Sequence, residues 1–131
     1  MIRHLKSIIV MTALCAVMIG CDKESNRAED LISSFMEENM VDYSSATSKE
    51  YGRLDSTVNV TPQRIEKMHQ SIKQNKDWRN NIHYSAGKVS GVLLFMPVEY
   101  DLPQGGDKKR HCRQTFYFDR EATHIIAFKD N

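Results

Sequence analysis

The run Val89-Ser90-Gly91-Val92-Leu93-Leu94-Phe95-Met96-Pro97-Val98-Glu99-Tyr100 and its successor Arg110-His111-Cys112-Arg113-Gln114-Thr115-Phe116-Tyr117-Phe118 decide the fold. Both are rich in β-branched and aromatic residues and are bounded by turn signals, which predicts strands. In the first, Val92, Leu94, Met96 and Val98 alternate with Leu93, Phe95 and Pro97. Side chains alternate across a sheet, so two apolar sets point to opposite faces, and both faces are expected to be covered there. Pro97 lacks a ladder donor, which calls for a bulge or an edge position. Asp101 to Lys109, with Pro103, Gly105 and Gly106, predicts a hairpin loop.

Outward from this pair, Ile82 to Ala86 predicts an earlier strand, with a turn starting at Gly87-Lys88. Asp119 to Ala122 predicts a tight turn, and Thr123 to Lys129 a last strand. Such short links imply an antiparallel meander of four strands. Upstream the period changes. Ala28, Leu31, Ile32, Phe35, Met36 and Met40 recur at helical spacing after Asn26 and Glu29, which read as a capping box. A helix is expected from Arg27 to about Met40. Thr61-Pro62, an N-cap followed by proline at the first helical position, opens a second helix to about Gln74, with Ile65, Met68 and Ile72 on its apolar stripe. Between the helices, Asp42 to Ser45 reads as a turn and Asp55 to Val60 as extended chain. Lys49 to Leu54 fits either a strand or a helical turn. The fold class is therefore α+β, with two N-terminal helices packed on an antiparallel sheet.

The chain of 131 residues is 40% hydrophobic and 27% charged with a net charge of +1, which suits one domain rather than two and excludes a wholly disordered chain. The first 20 residues read as an address. Arg3 and Lys6 precede an uncharged run from Ser7 to Ile19, too short to span a bilayer and right for a signal peptide. It ends Met18-Ile19-Gly20-Cys21. Losing residues 1–20 removes Arg3 and Lys6 from the 18 Lys+Arg and nothing from the 17 Asp+Glu, leaving a net charge of −1. A near-neutral domain carries no global field for nucleic acid. Of the cysteines, Cys15 leaves with the signal and only Cys112 remains beyond Cys21, so no internal disulfide is expected.

Met18-Ile19-Gly20-Cys21 resembles the lipobox of bacterial lipoproteins, with Met18 in place of the usual Leu. The resemblance implies cleavage before Cys21, diacylglycerol on its thiol, and a membrane as partner through that anchor. Residues 21–25 would form a polar tether and 26–131 the domain. Asp22 resembles an inner-membrane retention signal of enterobacteria. Charged residues after the Cys, Asp22-Lys23-Glu24 here, resemble a surface-export signal of Bacteroidota. Two helices and a four-stranded meander after a lipobox resemble small Bacteroidota lipoproteins with cystatin-like or nuclear-transport-factor-two-like domains. The stretch Leu54-Asp55-Ser56-Thr57 before Thr61-Pro62 looks like that group, as does Thr115-Phe116-Tyr117-Phe118-Asp119 followed by Ile125-Ile126-Ala127-Phe128-Lys129. The implied location is the outer membrane or cell surface. Asp55-Ser56-Thr57 also resembles the O-glycosylation acceptor of that phylum, with Ser56 as the sugar-bearing residue.

Little in the chain carries catalysis. His69, His83, His111 and His124 lack the spacing of a metal site, and no cofactor motif is present. Cys112 sits beside His111, between Arg110 and Arg113, but adjacent strand residues point to opposite faces, so a buried structural thiol is expected. Lys108-Lys109-Arg110 reads as a solvated loop, with an anion or a headgroup as the functional alternative. Asp30, Glu37 and Glu38 read as a solvated helix face, and Met36 and Met40 as core. The expected function is a lipid-anchored, non-catalytic envelope protein that binds another envelope protein or a small ligand. The alternative is an enzyme in a nuclear-transport-factor-two-like cone, for which Glu99 is the nearest acid. The cystatin inhibitors' Gln-x-Val-x-Gly loop is absent. If both helices cover one sheet face, the other, around Leu93, Phe95, Tyr117 and Ile125, is left to a partner, a second copy or an apolar ligand, unless Val41 to Val60 folds across it.

Overall fold

The computed structural model describes residues 23–84 and 91–131. The signal segment, Cys21 and Asp22 lie outside the described residues. So do Ser85 and Ala86 of the expected first strand, the Gly87-Lys88 turn, and Val89 and Ser90. The fold is α+β: two helices pack against an antiparallel sheet.

Helix α1 covers residues 23–39. Asn26 is therefore inside the helix and not its N-cap, and residues 23–25 are helical rather than a tether. Lys23, Glu24 and Ser25 contain no glycine or proline to stop the helix from extending past the local capping signal. Its stripe Ala28, Ile32, Phe35, Met36 and Met40 is buried. A 3-10 turn, Tyr43–Ser45, follows, with Ser44 and Ser45 hydroxyls donating to the Asp42 carboxylate. Helix α2 runs Pro62–Ile72. Thr61 caps it by accepting from the Arg64 amide at 3.2 Å.

The strands are β1 (Thr47–Tyr51), β2 (Asp55–Thr57), β3 (Leu93–Gly105), β4 (Lys108–Phe118) and β5 (Ile125–Asp130). The sheet order is β1-β3-β4-β5, and β2 pairs with β3 beside β1. The expected strand at Ile82–Ala86 is not formed over Ile82–Tyr84. Its place beside β3 is taken by β1 and β2, from the segment whose reading was open. Those strands are polar, so what holds them is the backbone ladder along β3 rather than an apolar alternation.

The two prolines of β3 explain the shape of that edge. Pro97 pairs with Thr115 on β4. On its other side it faces the break between β1, which ends opposite Val98, and β2, which begins opposite Phe95. The Gly52 amide donates to the Pro97 carbonyl at 2.7 Å. A strand residue directs its N–H and C=O to the same neighbour, so the donor that proline lacks faces the break, where no ladder bond is lost. Pro103, six residues on and in the same phase, lies past Asp101, the last residue of β3 paired with β1. The 101–109 stretch is accordingly not a loop. Asp101, Leu102 and Pro103 pair with His111, Arg110 and Lys109. Only Gly106 and Asp107 stand outside the strands, with Gly105 and Gly106 at φ +104° and +60°, conformations open to glycine.

Odd and even positions of β3 and β4 face opposite ways. The even set, Met96, Val98, Tyr100, Leu102, Cys112, Phe116 and Phe118, packs under α1 with Phe128. Phe116 and Phe128 stack with centroids 4.9 Å apart, and Phe35 of α1 meets both edge-on. Trp78 closes this core against Phe128 at 4.4 Å and bridges to Met40. Helix α2 lies against β5 and splits its stripe. Ile72 joins the α1 core, while Ile65 and Met68 join Leu93, Tyr117, Ile126 and Ala127. The split is possible because β5 carries a bulge: Tyr117 pairs with Ala127 and Phe118 with Ile125, which leaves Ile126 as the extra residue. His69 reinforces the contact, its Nε2 lying 2.8 Å from the Ile126 carbonyl oxygen and its ring stacking on Tyr84 at 3.9 Å.

Candidate functional site

Of the four residues expected to form one open apolar face, Leu93, Phe95 and Tyr117 share the odd face and Ile125 does not. Leu93 is buried beneath Ile65 of α2. Ile125, shifted by the β5 bulge, belongs to the α1 core on the other side. Phe95 and Tyr117 do share the odd face, with ring centroids 6.1 Å apart and both half-buried. Val41 to Val60 does not fold across this face. It extends the sheet edge, and only Val60 reaches the cluster around Leu93. What α2 leaves uncovered is a groove.

That groove has a volume of about 380 Å³. One wall is α2, through Arg64, Lys67, Met68, Ser71 and Ile72. These positions fall three and four residues apart, so they form one helical stripe. The opposite wall is Tyr117, Lys129 and Asp130, and Val60 closes one side. Apolar Val60, Met68, Ile72 and the Tyr117 ring thus lie among three cations and one acid. Asp130 is already engaged: Asn75 Nδ2 donates to both its oxygens at 3.1 Å and Gln114 Nε2 donates at 2.9 Å. Arg64 donates to the Asn59 carbonyl at 3.3 Å. Among the described residues Lys67 and Lys129 have no ion-pair partner. The sequence reading named Tyr117 but missed the α2 wall, because Arg64 and Lys67 look like a solvated helix face until β5 is placed opposite them.

Further along the odd face the character changes from apolar to charged. Arg113 Nε lies 2.7 Å from Glu99 Oε1, and His111 Nδ1 lies 2.8 Å from Asp101 Oδ1. His111 Nε2 is 3.7 Å from Glu99 Oε2. The bond to Asp101 and the charges of Asp101 and Glu99 raise the His111 pKa above its ordinary value, against desolvation and the charge of Arg113. Glu99 therefore sits in an exposed ion-pair ladder and not in an apolar cone.

The remaining candidates fall elsewhere. Cys112 is buried and free. Burial raises its pKa, and the adjacent Arg110 opposes that rise. Arg110 donates through one nitrogen, Nη2, to both Asp77 oxygens at 2.8 and 2.9 Å, so it does not act with Lys108 and Lys109 as a free basic cluster. His83 and His124 are exposed, and His124 lies in the turn before β5 rather than in a strand. Ser56 is exposed on the short edge strand β2. In the turn before β5, burial pushes the Asp119 carboxyl up. Hydrogen bonds from Thr123 and the His124 amide outweigh burial and hold it below the usual carboxylate range. No protein-family model, no curated protein and no solved structure matches the chain.

Proposed function

We propose that this chain is a lipid-anchored protein of the cell envelope, at the outer membrane or cell surface, that binds a small ligand in the groove beside α2 and performs no covalent chemistry. The observation that carries the binding half is the groove itself: about 380 Å³, with an apolar floor and polar groups converging from two walls. Ligand sites have this composition, an apolar body with a few placed polar groups. The anchoring half rests on Met18-Ile19-Gly20-Cys21 and on the charge and length of the segment before it. Helix α1 already covers residue 23, so a lipid on Cys21 would hold the domain close to the bilayer with little slack.

Both halves are open to one pair of measurements. Cys21→Ser should move the protein from the membrane fraction to the soluble one and remove the lipid mass from the mature chain. Unchanged retention and mass would sink the anchor. Met68→Trp should place a fluorophore in the groove whose emission shifts as a small amphipathic ligand is titrated. A flat response to anionic, neutral and cationic amphiphiles alike would sink the binding half.

A further inference from the structure

The geometry points to an anionic head on the groove's ligand: a small amphiphile whose carboxylate or phosphate is held by Arg64, Lys67 and Lys129 while its apolar body lies against Met68 and Tyr117. This deepens the binding reading above and rests on it. Arg64 and Lys67 project from the first half of α2, and Lys129 comes from β5 on the far wall, so the cations approach the space from two sides. The single acid of the lining, Asp130, does not balance them. Its two oxygens are occupied by Asn75 and Gln114, and Gln114 belongs to the even face with the α1 core. No ion pair within the described residues engages Lys67 or Lys129. An ammonium ligand would meet three like charges, and a neutral one would leave them unused. An anion gains charge-assisted hydrogen bonds from them, roughly twice as strong as neutral ones. The apolar part has a matching surface. Met68, Val60 and Tyr117 each pack against the cluster around Leu93, and the Phe95 ring lies 6.1 Å from the Tyr117 ring, centroid to centroid.

The test compares three probes with one body and different heads: 4-phenylbutyrate, 4-phenylbutanol and 4-phenylbutylamine. They are titrated into the full chain carrying Cys21→Ser, with the Met68 methyl and Tyr117 ring followed by NMR. The acid is expected to bind about 10-fold tighter than the alcohol, the effect of one charge-assisted hydrogen bond, and the amine most weakly. Lys67→Gln combined with Lys129→Gln should shrink the difference between acid and alcohol to what Arg64 alone supplies, and an unchanged difference would overturn the part given to the two lysines. Equal binding of acid and alcohol to the unaltered groove would overturn the anionic head and leave the groove as a binding site. No shift with any probe would overturn both. A phosphate head is separated from a carboxylate by repeating the titration with phenylethyl phosphate. Tighter binding of that ester identifies phosphate as the preferred form, and weaker binding identifies carboxylate.

Discussion

The two faces of the sheet are made from alternate residues of the same strands, yet they are finished differently. The even face is sealed. Helix α1 lays Ile32, Phe35 and Met36 across it, and Met40, Trp78 and Phe128 complete the seal. The odd face is sealed only where α2 reaches it, over Leu93, Ile126 and Ala127. Beyond that it opens into the cation-lined groove, then into the ladder of Glu99, Asp101, His111 and Arg113. One face is closed by packing, and the other keeps an open groove, where the proposed ligand would bind. An apolar residue on these strands thus tells little by itself, because its role depends on which helix lies over it.

The sharpest way to break this comparison is to remove one aromatic from each face. Phe116 is fully buried among Phe35, Trp78 and Phe128. Phe116→Ala should cost about 3–5 kcal/mol in urea unfolding, a large share of the ~5–15 kcal/mol of a typical domain. Phe95→Ala, which removes a half-buried ring touching Tyr117, should cost about 1 kcal/mol. Equal losses would mean that the odd face is core as well.

The next largest effect lies at the sheet edge. A Cβ on Gly52 would stand 2.4 Å from Pro97 Cγ and 3.2 Å from the Pro97 carbonyl oxygen. Neither a proline ring nor a strand backbone yields easily. Gly52→Ala should therefore destabilise by about 1–3 kcal/mol, read as a lower thermal midpoint. Wild-type stability would show that β1 and β2 are not seated on β3 as described.

A smaller change of opposite sign is expected inside the sealed face. The Tyr100 hydroxyl is buried beside the Gln114 side chain, and neither it nor Gln114 Oε1 makes a well-aligned hydrogen bond among the described residues. Tyr100→Phe removes a desolvated polar group and keeps the ring, so chemical denaturation should show equal stability or a gain of up to ~1 kcal/mol. A loss above that would reveal a partner for the hydroxyl.

The smallest effect is electrostatic and belongs to the odd face. Asp101 and Glu99 raise the His111 pKa above 6.5. A raised pKa means the folded state binds the proton more tightly. Its stabilisation is full below pH 6.5 and is lost as pH rises through the higher folded value. The difference in thermal midpoint between wild type and His111→Asn should shrink across that window, and NMR titration of the imidazole should give a midpoint above 6.5. A midpoint at or below 6.5 would remove the carboxylate pairing.

Much of this architecture was legible before any coordinates. The Thr61-Pro62 signal places the start of α2 to the residue, and the two apolar runs ending at Tyr100 and Phe118 become β3 and β4. One open reading was settled and two failed, for physical reasons. Thr47-Ser48-Lys49-Glu50-Tyr51 carries no apolar alternation, and it becomes a strand because β3 offers it a free edge. Asp101 to Pro103 looks like loop because proline and glycine punctuate it, yet Pro103 sits in the phase that needs no donor. Simple alternation puts Ile125 with Ala127 and Ile126 with Phe128, but the bulge inserts a residue, so Ile125 joins Phe128 in the α1 core while Ile126 and Ala127 share the other cluster. In the candidate site, Tyr117 was legible as part of the odd face. Arg64, Lys67 and Lys129 were not, since nothing local distinguishes a groove-lining lysine from a solvated one.

The sequence by itself determined the class of fold, the helical stripes, the pairing of β3 with β4 and the burial of Cys112. Each of these follows from local period, local breakers or simple alternation between opposite faces. The tertiary structure alone decided which face each helix covers, which segment fills the sheet edge and where three cations meet an apolar floor. Those outcomes depend on contacts between residues tens of positions apart, such as His69 with Ile126 and Gly52 with Pro97. Periodicity fixes the direction a side chain takes from its own backbone, but it cannot specify what will be standing opposite.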